Sequence, residues 1–463
     1  MSLAWREVID TLIQVVETWT GRGNLARVCV VRDLRGRIRL AARAVEGTKP
    51  DAEALERALI ENLGSWFAKP VLWTDAPSAL EERRLAKNLI EALKAKWPAA
   101  WAQAWRDPTG KEHPIATGER GVWCGELRAR TKDIWLHEGS VKPPWPLLTQ
   151  TPAIVSFYSF KGGVGRTTTM GIAARQLARL GHHVVVVDLD LEAPGLGRFF
   201  DVQTERGVLD LLSEHAATGA VDLQDPELYS TTIDEGDGKL TVYPVGAMDE
   251  SYIERLACLD YAPRAHATPS AVELALRAIL EDIKRRHRPE YIFLDARAGL
   301  HDLGGLSLHA LAHVDVLVGR AGSATLDGFQ LVLTALSRRR RDEDLRVVTV
   351  QTFVPLPVSG DEYARVRDGW AASLHDVFAR TLYQRMYTEQ GKDLPKVRDR
   401  MGWHYPWVIP QYDSMGRADR IQDIDSTVLD SHAFAALRGR IVERCNRSPL
   451  TDEEADDGSE VAG

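Results

Sequence analysis

Cysteine is scarce and scattered. The four present, Cys29, Cys124, Cys258 and Cys445, make no Cys-x-x-Cys pair, which argues against a disulfide framework and against a zinc or iron–sulfur site. Long apolar runs are missing too, and nothing approaches the roughly 20 residues that a membrane-crossing helix needs. No charge dominates: 58 basic and 66 acidic side chains leave a formal net charge of −8. Such a balance does not coat nucleic acid or anionic lipid globally, although a local basic patch still can. The opening stretch MSLAWREVIDTLIQVVETW carries Glu7 and Asp10. It reads as an amphipathic helix and not as a secretory signal. These absences together point to a reduced cytoplasmic protein. Ser-His-Asp and His-Glu-x-x-His patterns are also missing.

A chain of 463 residues exceeds one compact core, so more than one domain is expected. Tryptophan marks the division, because ten of the thirteen precede residue 150. In this first part RVCVVRDLRGRIRLAARA reads as two strands joined by a turn at Asp33–Gly36. Asp51 caps a helix bearing Leu55, Leu59, Ile60 and Leu63, and Ser78 with Glu81 forms a capping box for another. GVWCGEL and KDIWLHE look strand-like. A small α/β or α+β domain over residues 1–140 is the reading. Trp97, Trp101 and Trp105 share one helical face. Two readings of that face stand: a core, or an anchor for a protein partner.

Residues 141–152, VKPPWPLLTQTP, hold four prolines and predict an extended, semi-stiff linker. Beyond it the pattern changes. AIVSFYS, HVVVVDLD, LTVYPV, YIFLDA, VDVLVGR, LRVVTVQTF and WVIP are unbroken apolar strands with helical segments between most of them. Such strands predict a parallel, doubly wound α/β sheet covered on both faces, over residues 153–450. The last thirteen residues, 451–463, carry six acids and almost no large apolar side chain, so a disordered tail is expected.

The chemistry concentrates in FYSFKGGVGRTTTMGIAARQL, residues 157–177. A strand precedes the glycines and a helix follows, the context a phosphate-binding loop requires. Gly162, Gly163 and Gly165 allow close backbone approach, and the helix start near Thr167 adds partial positive charge. Two acids, Asp188 and Asp190, end the next buried strand. They serve either as magnesium and water ligands or as a plain strand-end cap.

KGGVGRTTT resembles the deviant Walker A loop of the ParA/MinD family of P-loop ATPases, whose mark is the early lysine, here Lys161. VVVVDLDLEAPGL resembles the family's switch I, YIFLDARAGL its Walker B and switch II strand, and WVIPQYDSM its late adenine-side strand. One bacterial subset is similar in all of YS-[FY]-KGG-x-GRT, DLEAPGL and D-[SA]-R-x-G, so Arg166 in place of the usual loop lysine looks like a habit of that subset. The resemblance implies ATP and Mg²⁺ as ligands. Gly162 and the amides of Gly163, Val164, Gly165 and Arg166 would cradle phosphate, and Thr168 would touch the α-phosphate. Thr167, Asp188 and Asp295 would hold Mg²⁺ directly or through water, Asp190 would orient the attacking water, and Pro410 and Gln411 would lie beside the base. Gln351 is the nearest polar candidate for adenine. Lys161 would reach a partner subunit, which implies a nucleotide-dependent homodimer switch acting on the N-terminal module. The rival is a hydrolysis-poor ATP-binding scaffold, because a planar guanidinium replaces a compact ammonium at Arg166. Arg297 stands where many relatives have proline, and it either reaches the γ-phosphate or pairs with Asp188 or Glu192.

SRRRRDEDL, residues 337–345, supplies either a nonspecific DNA contact or ordinary cations at a helix C-terminus. HAFAALRGRIVERCN has an apolar face, but the acidic residues that follow argue against a membrane anchor. His404, Trp403, Tyr405 and Trp407 have no metal spacing and read as packing.

Overall fold

The structure is a computed structural model, and it describes residues 7–32, 37–73, 122–126, 132–136, 142–148, 150–219, 225–259, 261, 269–339, 345–355 and 360–445. These fall into two compact units, one up to Glu126 and the other from Lys132 onward.

In the first unit, α1 (Glu7–Thr18) and α2 (Ala52–Leu63) accompany β1 (Leu25–Arg32), β2 (Ile38–Ala44), β3 (Leu72–Trp73) and β4 (Val122–Glu126). The sheet order is β3-β2-β1-β4, with β1 and β2 antiparallel and the outer pairs parallel. Apolar residues at helical spacing make the core: Val8, Leu12 and Val16 from α1, and Leu55, Leu59 and Leu63 from α2, meet Val28, Val30 and Leu40. Asp51 caps α2 as expected, its side chain accepting from the Ala54 amide at 2.9 Å. The Asp33–Gly36 turn, the Ser78 capping box and the Trp97–Trp105 face lie outside the described residues.

The second unit contains α3 (Asp133–Leu136), β5 (Ala153–Tyr158), α4 (Arg166–Arg179), β6 (His183–Leu189), α5 (Val208–Thr218), β7 (Thr231–Glu235), β8 (Gly238–Tyr243), α6 (Ala271–His287), β9 (Tyr291–Ala296), α7 (Asp302–Leu306), β10 (Val314–Gly319), α8 (Ser323–Arg339), β11 (Val347–Val354), α9 (Gly360–Ala379), β12 (Trp407–Pro410) and α10 (His432–Cys445). Eight strands order as β12-β11-β10-β5-β9-β6-β8-β7, all parallel except the β7–β8 edge pair. Strand alternation divides the interior into two cores. Ile154, Tyr158, Val185 and Val187 face one with α5, α6, α8 and α9, while Val155, Phe157, Val184 and Val186 face the other with α4 and α10. The fold is a doubly wound α/β sheet.

Three local readings change. KDIWLHE is a helical turn and not a strand: consecutive Ile134 and Trp135 are both buried against Gly305, which a strand's alternation would prevent. Edge strand β7 reads TTIDE, whose acids hid it. The proline-rich stretch is irregular but anchored. Trp145 is buried, its indole N–H donating to the Pro152 carbonyl at 2.9 Å, with the Lys284 ammonium 4.4 Å from its ring centre.

The apolar face of α10 is core: Phe434, Leu437 and Ile441 are fully buried. His404 packs against Tyr383, whose hydroxyl lies 2.9 Å from its Nδ1. Arg338 is exposed at the end of α8, whereas Arg340 and Arg341 and the acidic tail lie outside the described residues. Among the described residues no helix is long and apolar enough to cross a membrane.

Candidate functional site

The carboxyl ends of β5, β6 and β9 converge, and the site lies there. Parallel pairing puts Asp188 of β6 directly opposite Asp295 of β9. The chain leaves β5 at Tyr158, runs through residues 159–165 and enters α4 at Arg166. Gly163 and Gly165 have φ of +69° and +75°, a region where side chains other than glycine's are strained. A Cβ on Gly162 or Gly163 would meet nothing within 4 Å, so the loop is open on that side. On the other side it is braced, because Thr352 Oγ1 donates to the Val164 carbonyl at 2.8 Å and Phe353 lies 3.5 Å from where a Gly165 Cβ would be. Lys161 is exposed and has no partner among the described residues.

Arg166 turns inward. Its Nε donates to Asp295 Oδ1 at 2.6 Å and its Nη2 to Asp190 Oδ2 at 2.9 Å. Thr167 Oγ1 donates to Asp295 Oδ2 at 2.6 Å. Arg297 takes the other side of Asp190, with Nη1 to Oδ1 at 2.6 Å, and reaches Glu192 Oε2 at 3.0 Å through Nη2. His301 Nε2 lies 3.0 Å from Glu192 Oε1. Of the two readings for Arg297, the ion pair with Glu192 is present, joined by one with Asp190 and none with Asp188.

Asp188 behaves differently from its neighbours. Its oxygens accept from the amides of Asp190 at 3.0 Å, Gly195 at 3.3 Å and Leu196 at 3.0 Å, so it pins the turn after β6. Full burial, then the Asp295 charge, hold its carboxyl well above the usual carboxylate range. Burial pulls the Arg166 guanidinium down, but Asp295 and Asp190 outweigh that and keep it firmly charged. Pro410 ends β12, and the Gln411 amide donates to the Val354 carbonyl at 2.7 Å, beside the strand that braces the loop. Thr168 lies in the first turn of α4, and Gln351 is buried with its Oε1 unpartnered.

The donor set fits a magnesium nucleotide. Mg²⁺ takes one or two carboxylates and leaves the rest of its shell to phosphate and water. Thr167 Oγ1 and the Asp295 carboxylate already meet at one point, next to the open cradle of Gly162 and Gly163. Residues that the sequence reading did not single out tie the loop to the segment after β9: the Tyr158 hydroxyl donates to the Gly299 carbonyl at 2.9 Å, and the Gly299 amide to the Ser159 carbonyl at 3.0 Å. A tyrosine ending a buried strand gave no signal of this in the sequence.

Residues 152–318 match the model of a family described as AAA domain. A curated relative, the chromosome-partitioning ATPase Soj of Thermus thermophilus, is 37% identical over 153 residues, 30% of this chain and 56% of that protein. This segment is ParA/MinD-like. The chain spans about half the length of that relative, at 56%. Two solved structures are similar over part of the chain. The MinD septum site-determining protein of Pyrococcus horikoshii complexed with Mg-ADP is 17% identical, with TM-score 0.38, over 67% of this chain and 100% of that one. pNOB8 ParA bound to nonspecific DNA is 17% identical, with TM-score 0.42, over 63% and 98%.

Proposed function

We propose that the second unit binds Mg·ATP at the 159–168 loop, hydrolyses it, and uses the bound state to join two copies of the chain. The carrying observation is the convergence of an open glycine cradle, the Thr167–Asp295 pair and Asp190 at the ends of three parallel strands. Backbone amides from Gly163 to Arg166 and the start of α4 bind the phosphates. Thr167 and Asp295 hold Mg²⁺, with Asp188 fixing the turn that carries Asp190. The metal supplies charge neutralisation across the phosphates. Asp190 orients a water for attack on the terminal phosphate once Arg166 releases it. Arg297 follows the charge that develops there. Positioning and electrostatics supply most of the acceleration.

Lys161, which is exposed, would enter a second copy's site. The first unit is the module whose availability this cycle controls, in a signalling or defence setting. The Arg338 end of α8 is the candidate contact for nonspecific DNA. A second reading rests on the closed Arg166 pairs with Asp190 and Asp295: a scaffold that binds ATP and scarcely turns it over.

Light scattering of the full chain tests the switch. A mass near 51.5 kDa with Mg·ADP that doubles with Mg·ATP supports it, and the doubling should vanish in Lys161→Ala. One unchanged mass under both nucleotides moves the reading to the scaffold.

A further inference from the structure

Lys132, the first described residue of the second unit, has φ of +68°. A residue with a side chain stays in that left-handed region only when its surroundings hold it there. One carboxylate does the holding. Asp302, at the start of α7, accepts the Lys132 amide at 2.5 Å and its ammonium at 3.1 Å. Three residues on, the Trp135 indole N–H donates to the His301 carbonyl at 3.0 Å. The same indole meets the His309 ring edge-on at 5.2 Å between centroids. Gly305 provides the seat: a Cβ there would come within 2.5 Å of Ile134 and 2.9 Å of the indole. Helix α3 therefore rests on the bare backbone of α7, and a single added methyl group would lift it.

One residue that holds α3, His301, also touches the candidate site. His301 Nδ1 accepts from the Leu303 amide at 3.2 Å, which leaves the proton on Nε2, donated to Glu192 at 3.0 Å. Glu192 pairs with Arg297, and Arg297 with Asp190. Gly304, beside the seat, would put a Cβ 2.6 Å from the Arg297 carbonyl and 3.2 Å from the Tyr158 ring. A shift of Arg297 toward an anion would leave Glu192 to His301 alone and, through the Arg297 carbonyl packed on Gly304, disturb the backbone on which Trp135 sits.

We propose that Lys132–Leu136 is a latch that reports the state of the nucleotide site, seated on α7 when Arg297 is paired with Glu192 and released when a γ-phosphate draws Arg297 away. The latch is the first described segment of the second unit, so its release would free the start of that unit. His301 is the positioning residue at the junction. This proposal rests on reading the 159–168 loop as a nucleotide site.

Hydrogen exchange of the full chain tests both together but separately readable, in buffer, with Mg·ADP and with a non-hydrolysable Mg·ATP analogue. Peptides over 162–168 report binding and peptides over 132–136 report the latch. Protection of the loop with both nucleotides, and latch exchange several-fold faster with the ATP analogue alone, is the expected result. A protected loop with no faster exchange in the latch, or the same increase with ADP, overturns the latch and leaves the nucleotide site standing. An unprotected loop overturns both. Trp135→Phe keeps an aromatic ring, though a smaller one, and removes the N–H donor, so its latch should exchange several-fold faster even in buffer, with loop protection by the Mg·ATP analogue retained. A parental exchange rate in that variant also overturns the latch. Gly305→Ala is the harsher companion and should give the same release.

Discussion

Arg166 and Asp295 lie 2.6 Å apart, Nε to Oδ1, and both side chains are almost completely buried. The same guanidinium holds Asp190 at 2.9 Å. One cation therefore covers both carboxylates that the proposed chemistry needs, and in the proposed cycle Mg·ATP would have to displace it from them. Removing it would leave Asp190 to Arg297 alone and take the guanidinium from Asp295. Taking one partner from a buried ion pair costs about 3–5 kcal/mol, mostly for the charge left behind. Arg166→Ala should therefore melt well below the parent in calorimetry, and millimolar Mg²⁺ should recover part of the loss in the variant while barely moving the parent. Equal midpoints in parent and variant, with and without Mg²⁺, would show that these pairs do not hold the site closed.

Asp190 sits between two arginines, with one oxygen on each. Its proposed task is to orient water, so Asp190→Ala should stop phosphate release while Mg·ATP affinity stays within about tenfold of the parent. Arg297→Ala should reduce turnover by roughly 10³-fold, the usual scale for an arginine that follows phosphoryl charge. Single-turnover phosphate release decides both. Release that persists undiminished in Asp190→Ala would remove that residue from the chemistry.

How far the sequence could be read depends on the range of the physics involved. Strand–loop–helix punctuation around Gly162, Gly163 and Gly165 is local, and so are the valine runs of β6 and β10; these were legible. The doubly wound sheet followed from strands buried on both faces. The inward turn of Arg166 was not legible, because its partners, Asp190 just past β6 and Asp295 in β9, lie 24 and 129 residues away. Asp188 and Asp190 look equivalent in DLD, yet one is spent on backbone amides and the other on guanidinium groups. The apolar pair Ile134 and Trp135 read as strand in KDIWLHE, because nothing local shows that both side chains share one seat on Gly305. The proline count of residues 141–152 predicted a semi-stiff linker and gave no hint that Trp145 is packed away.

That tryptophan offers a separate test. Trp145 is 5% exposed, bonds to the Pro152 carbonyl, and its own carbonyl lies 2.8 Å from His313 Nε2, whose Nδ1 accepts from the Ile154 amide that opens β5. Trp145→Ala should cost about 3–5 kcal/mol through lost burial and the cavity left behind. Trp145→Phe keeps most of the apolar area and should cost less, with about 1 kcal/mol of it from the indole hydrogen bond. Urea unfolding of the two variants measures the difference. If Trp145→Ala unfolds with the parent, the segment is a free tether after all.

His287 sets the expected pH dependence. Burial, then His183 and Arg286, lower its imidazole to about 4, and its Nε2 lies 2.7 Å from the Tyr243 hydroxyl. Its neighbour His183 is also lowered, again chiefly by burial. An unfolded chain protonates such a ring near pH 6.5, whereas the folded one resists down to about 4. The unfolded state therefore binds the extra proton in that window, and the stabilisation present above pH 6.5 is lost as pH falls toward 4. Asp188 acts in the opposite sense, because its raised carboxyl binds protons more readily when folded and so favours the fold as pH falls. The informative quantity is thus the difference between parent and His287→Gln. The parent should lose about 1 kcal/mol more than the variant between pH 7 and pH 5, after allowance for the ring's partial exposure. Parallel urea-stability curves for the two proteins across that range would mean that His287 titrates alike in the folded and unfolded chains.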